Sequence, residues 1–167
     1  EIKLILDSDG IRSKKPMIGK ILPTSKEQLK VAFLHTRSEK LSSWTYAHEL
    51  GMDYAEEKLH KQIKTKSYFL QDFKNDEEMM KQAITDGNQL IFTTSPSLLS
   101  ISKKYAVKYP KIKILNCSLN TNCSHVRTYY GRFYEAKFLT GMIAGIMTAK
   151  NEIVYIADYP LYGMIAN

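Results

Sequence analysis

The sequence predicts an α/β fold, a doubly wound and mostly parallel sheet, and three observations carry that expectation. Short runs of β-branched and aromatic residues alternate with amphipathic segments of helical length from Lys30 onward. Runs such as VAFLHT and IVYIA read as buried parallel strands. Gly, Pro and helix-capping residues fall between the segments, where punctuation belongs.

Residues 1–29 stand outside this alternation. Ile2 to Leu6, the Asp7-Ser8-Asp9-Gly10 turn and Pro16 to Leu22 read as a two-strand hairpin, ending in a linker around Pro23-Thr24-Ser25, the tail of an upstream segment. The DSDG turn lacks the downstream Glu that a calcium loop needs. Val31 to Thr36 is the first strand. Ser43 can cap a helix from Trp44 to His60, with Ala47, Leu50, Tyr54 and Leu59 on its apolar face and Gly51 as a point of close packing.

Lys66 to Leu70 is the second strand, and Asn75 or Asp76 caps a helix carrying Met79, Met80 and Ile84 that Gly87 closes. Gln89 to Thr94 is the third strand. A helix from Pro96 to Tyr109 begins on one proline and stops before Pro110. Lys111 to Cys117 is the fourth strand, and His125 to Tyr130 a fifth strand or extended segment. Gly131 to Ala149 is expected to be the longest helix. Phe138, Leu139, Met142, Ile143 and Ile146 form its apolar stripe, and Gly141 and Gly145 mark tight packing on the sheet or a neighbour. Ile153 to Ala157 is the sixth strand. The expected organisation is a ligand-binding lobe over 30–157 and a crossover over 158–167 towards a second lobe.

With 167 residues, 44% hydrophobic and 25% charged, the chain has the balance of a globular domain, and no apolar run approaches the length of a membrane-spanning helix. Cys117 and Cys123 are its two cysteines, which excludes a disulfide-stapled miniprotein, and no Cys/His spacing suggests a metal site. The net charge of +7 is Lys scattered on amphipathic stretches such as Lys58 to Lys66, a solvated face. Neither a helix-turn-helix nor a finger pattern accompanies it, so nucleic acid is not an expected partner. The chain begins at Glu1 and stops in an apolar stretch, which reads as a piece of a longer protein.

In an open parallel sheet, ligands bind beyond the carboxyl ends of the strands. That rule selects Arg37 to Thr45, Thr93 to Ser97, Asn116 to Asn122 and Asp158 to Tyr162. Trp44, the single tryptophan, lies at the mouth of the first loop, where an indole can stack on a planar ligand or staple its own helix. Thr45, Thr94, Ser95, Asn116 and Ser118 offer hydroxyl and amide hydrogen bonds. No nucleophile elbow, HExxH pair, Walker A or GxGxxG sequence is present, so no catalytic residue, cofactor or metal is assigned. Cys117 reads as a buried structural cysteine, and Arg132 with Glu135 as a local ion pair.

WTYAHELG (44–51), LIFTTS (90–95), AVKYP (106–110) and YGRFYEAKFLTGMIAG (130–145) resemble the basic membrane protein family, the substrate-binding proteins of ABC transporters similar to purine-nucleoside-binding lipoproteins. The resemblance covers about residues 30 to 167. It implies a type I periplasmic-binding-protein fold, a small polar ligand such as a nucleoside held between two lobes, a transporter permease as partner, and an extracytoplasmic lipoprotein. In the nucleoside-binding members an Asp-x-x-Phe-Asn motif follows the first strand. Its aromatic position falls on Trp44, its Asn on Thr45 and its Asp on Leu41, while the acidic position after strand four falls on Asn116. The alternative reading is the effector domain of a regulatory protein, cytoplasmic or membrane-tethered.

Overall fold

The computed structural model describes residues 28–59, 62–118 and 125–156. Strand β1 (Leu29–His35) lies inside the sheet, because both of its edges are paired: with β2 (Ile63–Phe69) on one side and β3 (Leu90–Thr93) on the other. Strands β4 (Lys113–Cys117) and β5 (Val126–Tyr129) extend the sheet beyond β3, giving the order β2-β1-β3-β4-β5 with every pair parallel. Parallel neighbours need crossovers, and α1 (Ser43–Lys58), α2 (Asp76–Thr85) and α3 (Leu99–Lys108) supply them from β1 to β4; the connection from β4 to β5 runs through 118–125, mostly outside the described residues.

Alternate residues of β1 face opposite sides of the sheet and enter separate cores. Ala32 and Leu34 pack with Met79, Met80, Ile101 and Tyr105 beneath α2 and α3. Val31 and Phe33 pack with Ile63, Leu90 and Phe92 on the α1 side. The two faces are unequally sealed. Only Thr45 of α1 is buried, while Leu50 and Tyr54, expected on its apolar face, are 51% and 62% exposed. Gly51 has no heavy atom within 4 Å of a hypothetical Cβ, so close packing does not explain it.

The local signals for α2 held. Asn75 Oδ1 accepts from Glu78 N at 2.9 Å, three acidic residues occupy the first turn, and Gly87 follows the helix at φ +80°, a conformation that side chains disfavour. For α1 the cap is Ser42, which accepts from Thr45 N, and not Ser43, which is already helical. Strand β2 begins at Ile63, earlier than expected, because its register follows β1 from Leu29. The helix expected over Pro96 to Tyr109 is divided into a 3₁₀ turn (Pro96–Leu98) and α3.

Two expectations fail at the other end. Residues 152–156 form no strand, and Val154 and Ile156 are 85% and 89% exposed. A β-rich run becomes a strand only when a neighbour supplies its hydrogen bonds, and among the described residues none pairs with this one. Helix α4 (Phe133–Met147), shorter by one residue than α1, buries no residue, and Gly141 and Gly145 meet nothing within 4 Å. Its glycines therefore mark no packing contact among the described residues. The hairpin expected before residue 28, the loop 119–124 and the crossover over 158–167 lie outside the described residues, as does Ala157.

Candidate functional site

The connections diverge beside β1: α1 carries the chain to β2 over one face, and α2 returns it to β3 over the other. Divergence of this kind opens a crevice at the carboxyl ends of β1 and β3, the usual place for a ligand in an open α/β sheet. Trp44 follows β1 and Thr94 follows β3, and the two bridge the crevice. The indole Nε1 donates to the Thr94 carbonyl at 2.7 Å. Phe133 and Tyr130 lie at ring-centroid distances of 5.5 and 6.2 Å from Trp44, with His48 at 5.1 Å, so the indole belongs to an aromatic group and is also held by its edge.

The other expected residues divide by where their polar atoms go. The Thr45 hydroxyl donates to Arg37 O at 3.2 Å and is buried, tying the β1–α1 loop to its helix. The Thr94 hydroxyl, also buried, donates to Leu34 O at 3.1 Å and contacts His35 Nδ1 at 3.0 Å. Ser95 caps the 3₁₀ turn, its Oγ accepting from Ser97 N at 3.3 Å. Asn116 is fully buried; its Nδ2 donates to Thr93 Oγ1 at 2.8 Å and to Ser95 O at 2.9 Å, while its Oδ1 has no hydrogen-bond partner among the described residues. Ser118 Oγ is likewise buried and without a partner among the described residues. Trp44 and Asn116 thus bind the consecutive carbonyls of Thr94 and Ser95 from two sides.

A cavity of about 500 Å³ opens on the α1 side, with Phe33, Trp44, His48, Phe92, Tyr129 and Phe133 in its walls. Neither Asn116 nor Ser118 lines it; Trp44 is the candidate residue it shares with the crevice. The Cys117 thiol also faces it, pushed up to about 11 by burial, and so stays protonated and poorly nucleophilic near neutrality. Burial raises the Tyr129 phenol above its usual range as well, with the Cys117 thiol adding to the effect.

Residues that sequence reasoning passed over complete the site. His35, the last residue of β1, is fully buried. The imidazole Nδ1 lies 3.0 Å from Thr94 Oγ1, and its tautomer sets which of the two atoms donates. Nε2 lies 2.8 Å from Glu49 Oε1. Burial, with a smaller contribution from the nearby His48, lowers the His35 imidazole to about 4. The Glu49 carboxylate opposes this, but the imidazole is sealed from water and burial prevails. A polar residue ending the apolar run VAFL was the available signal for His35; nothing in the sequence paired it with Glu49.

Hydroxyl, imidazole and carboxylate are thus connected in the order Thr94, His35, Glu49, yet the hydroxyl is enclosed and bound to a backbone carbonyl, so it has no access to a substrate. Among the described residues no cluster of three His, Cys, Asp or Glu side chains could hold a metal ion, and no helix is long and apolar enough to cross a membrane.

Residues 29–166 match the family model described as ABC transporter substrate-binding protein PnrA-like. A purine-binding protein of Brucella abortus (strain 2308) is 30% identical over 140 residues, covering 82% of this chain and 39% of the relative. The chain therefore spans about two fifths of the length of that curated relative. The structure is similar to an ABC transporter solute-binding protein of Aeropyrum pernix K1, with a TM-score of 0.58 at 24% identity over 70% of this chain and 32% of that one. That similarity supports the α/β fold.

Proposed function

The chain belongs to the family of PnrA-like ABC transporter substrate-binding proteins, and from that premise we propose that it forms one wall of a cleft that takes up a planar polar solute, a purine nucleoside first among candidates. The observation that carries this reading is the pair of buried polar atoms at the end of β4, Asn116 Oδ1 and Ser118 Oγ, that have no partner among the described residues. A buried acceptor without a partner costs about 1–3 kcal/mol, and a ligand N–H or O–H donor recovers it. On the opposite side of the Thr94–Ser95 backbone, Trp44 offers the aromatic face for stacking.

Thr45 and Thr94 act as scaffold in this reading, since their hydroxyls already serve Arg37 and Leu34 carbonyls. Ser95 holds the carbonyl that orients Asn116. The purine-binding relative supports the choice of ligand class. The binding step is non-covalent: stacking and hydrogen bonds at the strand ends, with a second wall enclosing the solute and excluding water. Delivery to a transporter permease, an extracytoplasmic location and a lipid anchor belong to the same proposal. So does the division into a ligand-binding lobe, a preceding segment and a crossover.

The test is a titration with adenosine, guanosine, inosine, uridine and free adenine. The protein is first unfolded and refolded to remove any ligand carried from expression, and heat release and Trp44 emission are followed together. Saturable binding of purine nucleosides is expected, weakened in Trp44→Ala by about 1–3 kcal/mol, the scale of stacking a base on an aromatic side chain. Absence of saturable binding across the panel refutes the ligand class, and unchanged affinity in Trp44→Ala refutes the stacking role.

A further inference from the structure

His35 occupies the end of the central strand with both ring nitrogens against polar atoms, Thr94 Oγ1 at 3.0 Å and Glu49 Oε1 at 2.8 Å. Glu49 in turn accepts the Ser67 hydroxyl at 2.7 Å. The imidazole lies 5.4 Å from the Phe69 ring in a stacked arrangement. An enclosed imidazole is a poor choice for filling space, since burying its polar atoms costs free energy that an aliphatic or phenyl side chain avoids. Its position has a specific consequence for the neighbouring loop.

Thr94 is held by three contacts: its N and its Oγ1 both reach Leu34 O, at 3.0 and 3.1 Å, and the same Oγ1 shares a hydrogen bond with His35 Nδ1. Two ties to one carbonyl leave the Thr94 unit free to pivot about that oxygen; the third, from the imidazole, removes the pivot. The Thr94 carbonyl is the acceptor for Trp44 Nε1 at 2.7 Å. We propose that His35 is a positioning residue for Trp44: it locks Thr94, whose carbonyl then sets the plane of the indole. His48 has a different task on the same wall, its Nδ1–H donating to the Trp44 carbonyl at 2.9 Å and so steadying the backbone of α1.

The functional meaning of this inference rests on Trp44 being the stacking face; its geometric content does not. Because Trp44 is the single tryptophan, emission and near-ultraviolet dichroism of the ligand-free chain report the indole directly. The experiment compares His35→Asn, whose amide occupies the Nδ1 position, with His35→Gln, whose amide reaches the Nε2 position, and with His35→Leu. Each variant is checked for native far-ultraviolet dichroism and cooperative unfolding.

The expected result is that His35→Asn keeps the wild-type emission maximum and dichroic band, whereas His35→Gln and His35→Leu move the emission to longer wavelength and weaken the band. Nucleoside affinity should follow the same order, falling about five- to tenfold in His35→Gln, the effect of one lost hydrogen bond. Should the His35 variants fail to fold, Thr94→Val and Thr94→Ser interrogate the same contact from the other side: valine is expected to reproduce the emission shift and serine to prevent it. Indistinguishable emission in His35→Asn and His35→Gln, or in Thr94→Val and Thr94→Ser, overturns the positioning role. Emission that sorts as expected in a protein that binds no nucleoside overturns the ligand reading instead and leaves the positioning intact.

Discussion

Replacing Asn116 by Asp keeps the shape of the side chain and reverses its chemistry where the structure needs a donor. Asn116 Nδ2 donates at 2.8 Å to Thr93 Oγ1 and at 2.9 Å to Ser95 O. Losing both bonds costs about 2 kcal/mol. The new carboxylate would also face the Ser95 carbonyl oxygen inside a fully buried environment. Burial and that repulsion both favour the protonated acid, and an upward displacement of about two pKa units adds about 3 kcal/mol at neutral pH. Once protonated, the acid can donate to Ser95 O again, and the cost falls to about 1 kcal/mol.

The folded variant then binds more protons than the unfolded one between about pH 4 and pH 6, so its stability falls as pH rises through that window. Urea unfolding of wild type and Asn116→Asp at pH 4 and pH 7 measures the difference. The variant should be destabilised by about 4 kcal/mol relative to wild type at pH 7, the cost of the protonated form plus the displacement, and by about 1.5 at pH 4. A destabilisation equal at both values refutes the assigned donor role of Nδ2, because it would mean that no acceptor faces that position.

Three further outcomes follow from other parts of the fold. His35 has a folded pKa of about 4, below its unfolded value near 6.5, so its contribution is complete above pH 6.5 and is lost as pH falls towards 4; the loss approaches about 3 kcal/mol, and urea unfolding of His35→Asn should lack that part of the acid sensitivity. In a Cys123→Ser background, the Cys117 thiol should resist a disulfide reagent at pH 8 in the folded protein and react promptly in urea, because burial raises it to about 11. Gly87→Ala should lower stability by about 1–2 kcal/mol in thermal unfolding through its φ of +80°, since among the described residues a Cβ would meet only Lys30 Nζ, at 3.6 Å.

Legibility in the sequence tracked how local each determinant was. Asn75, Gly87 and the prolines near α3 act within a few residues; α2 was found where it was expected, and the helical segment from Pro96 was too, with its first three residues in a 3₁₀ turn. The run at 153–157 had the composition of a strand, but pairing depends on a distant neighbour, and residues 152–156 form none. The stripe on α4 identified a helix without identifying what, if anything, it meets. At the crevice, Thr45, Thr94 and Asn116 were recognisable as polar groups at strand ends. Whether a hydroxyl turns towards its own loop or away from it depends on carbonyls such as those of Arg37 and Leu34, whose directions are set only in the folded chain. The contact between His35 and Glu49 joins a strand end to the middle of α1 and was invisible for the same reason.

The unequal sealing of the sheet divides the molecule by local opening energy. Amide protons of α2 and α3 sit over the larger core cluster, which includes Met79, Met80, Ile101 and Tyr105, and their exchange with solvent requires that cluster to come apart. Helix α1 buries only Thr45. Its amides can exchange through small, inexpensive fluctuations that leave the opposite face intact. The element carrying Trp44 is therefore also the one whose ordering a bound solute could most readily complete, and part of any affinity would be registered as slowed exchange along α1.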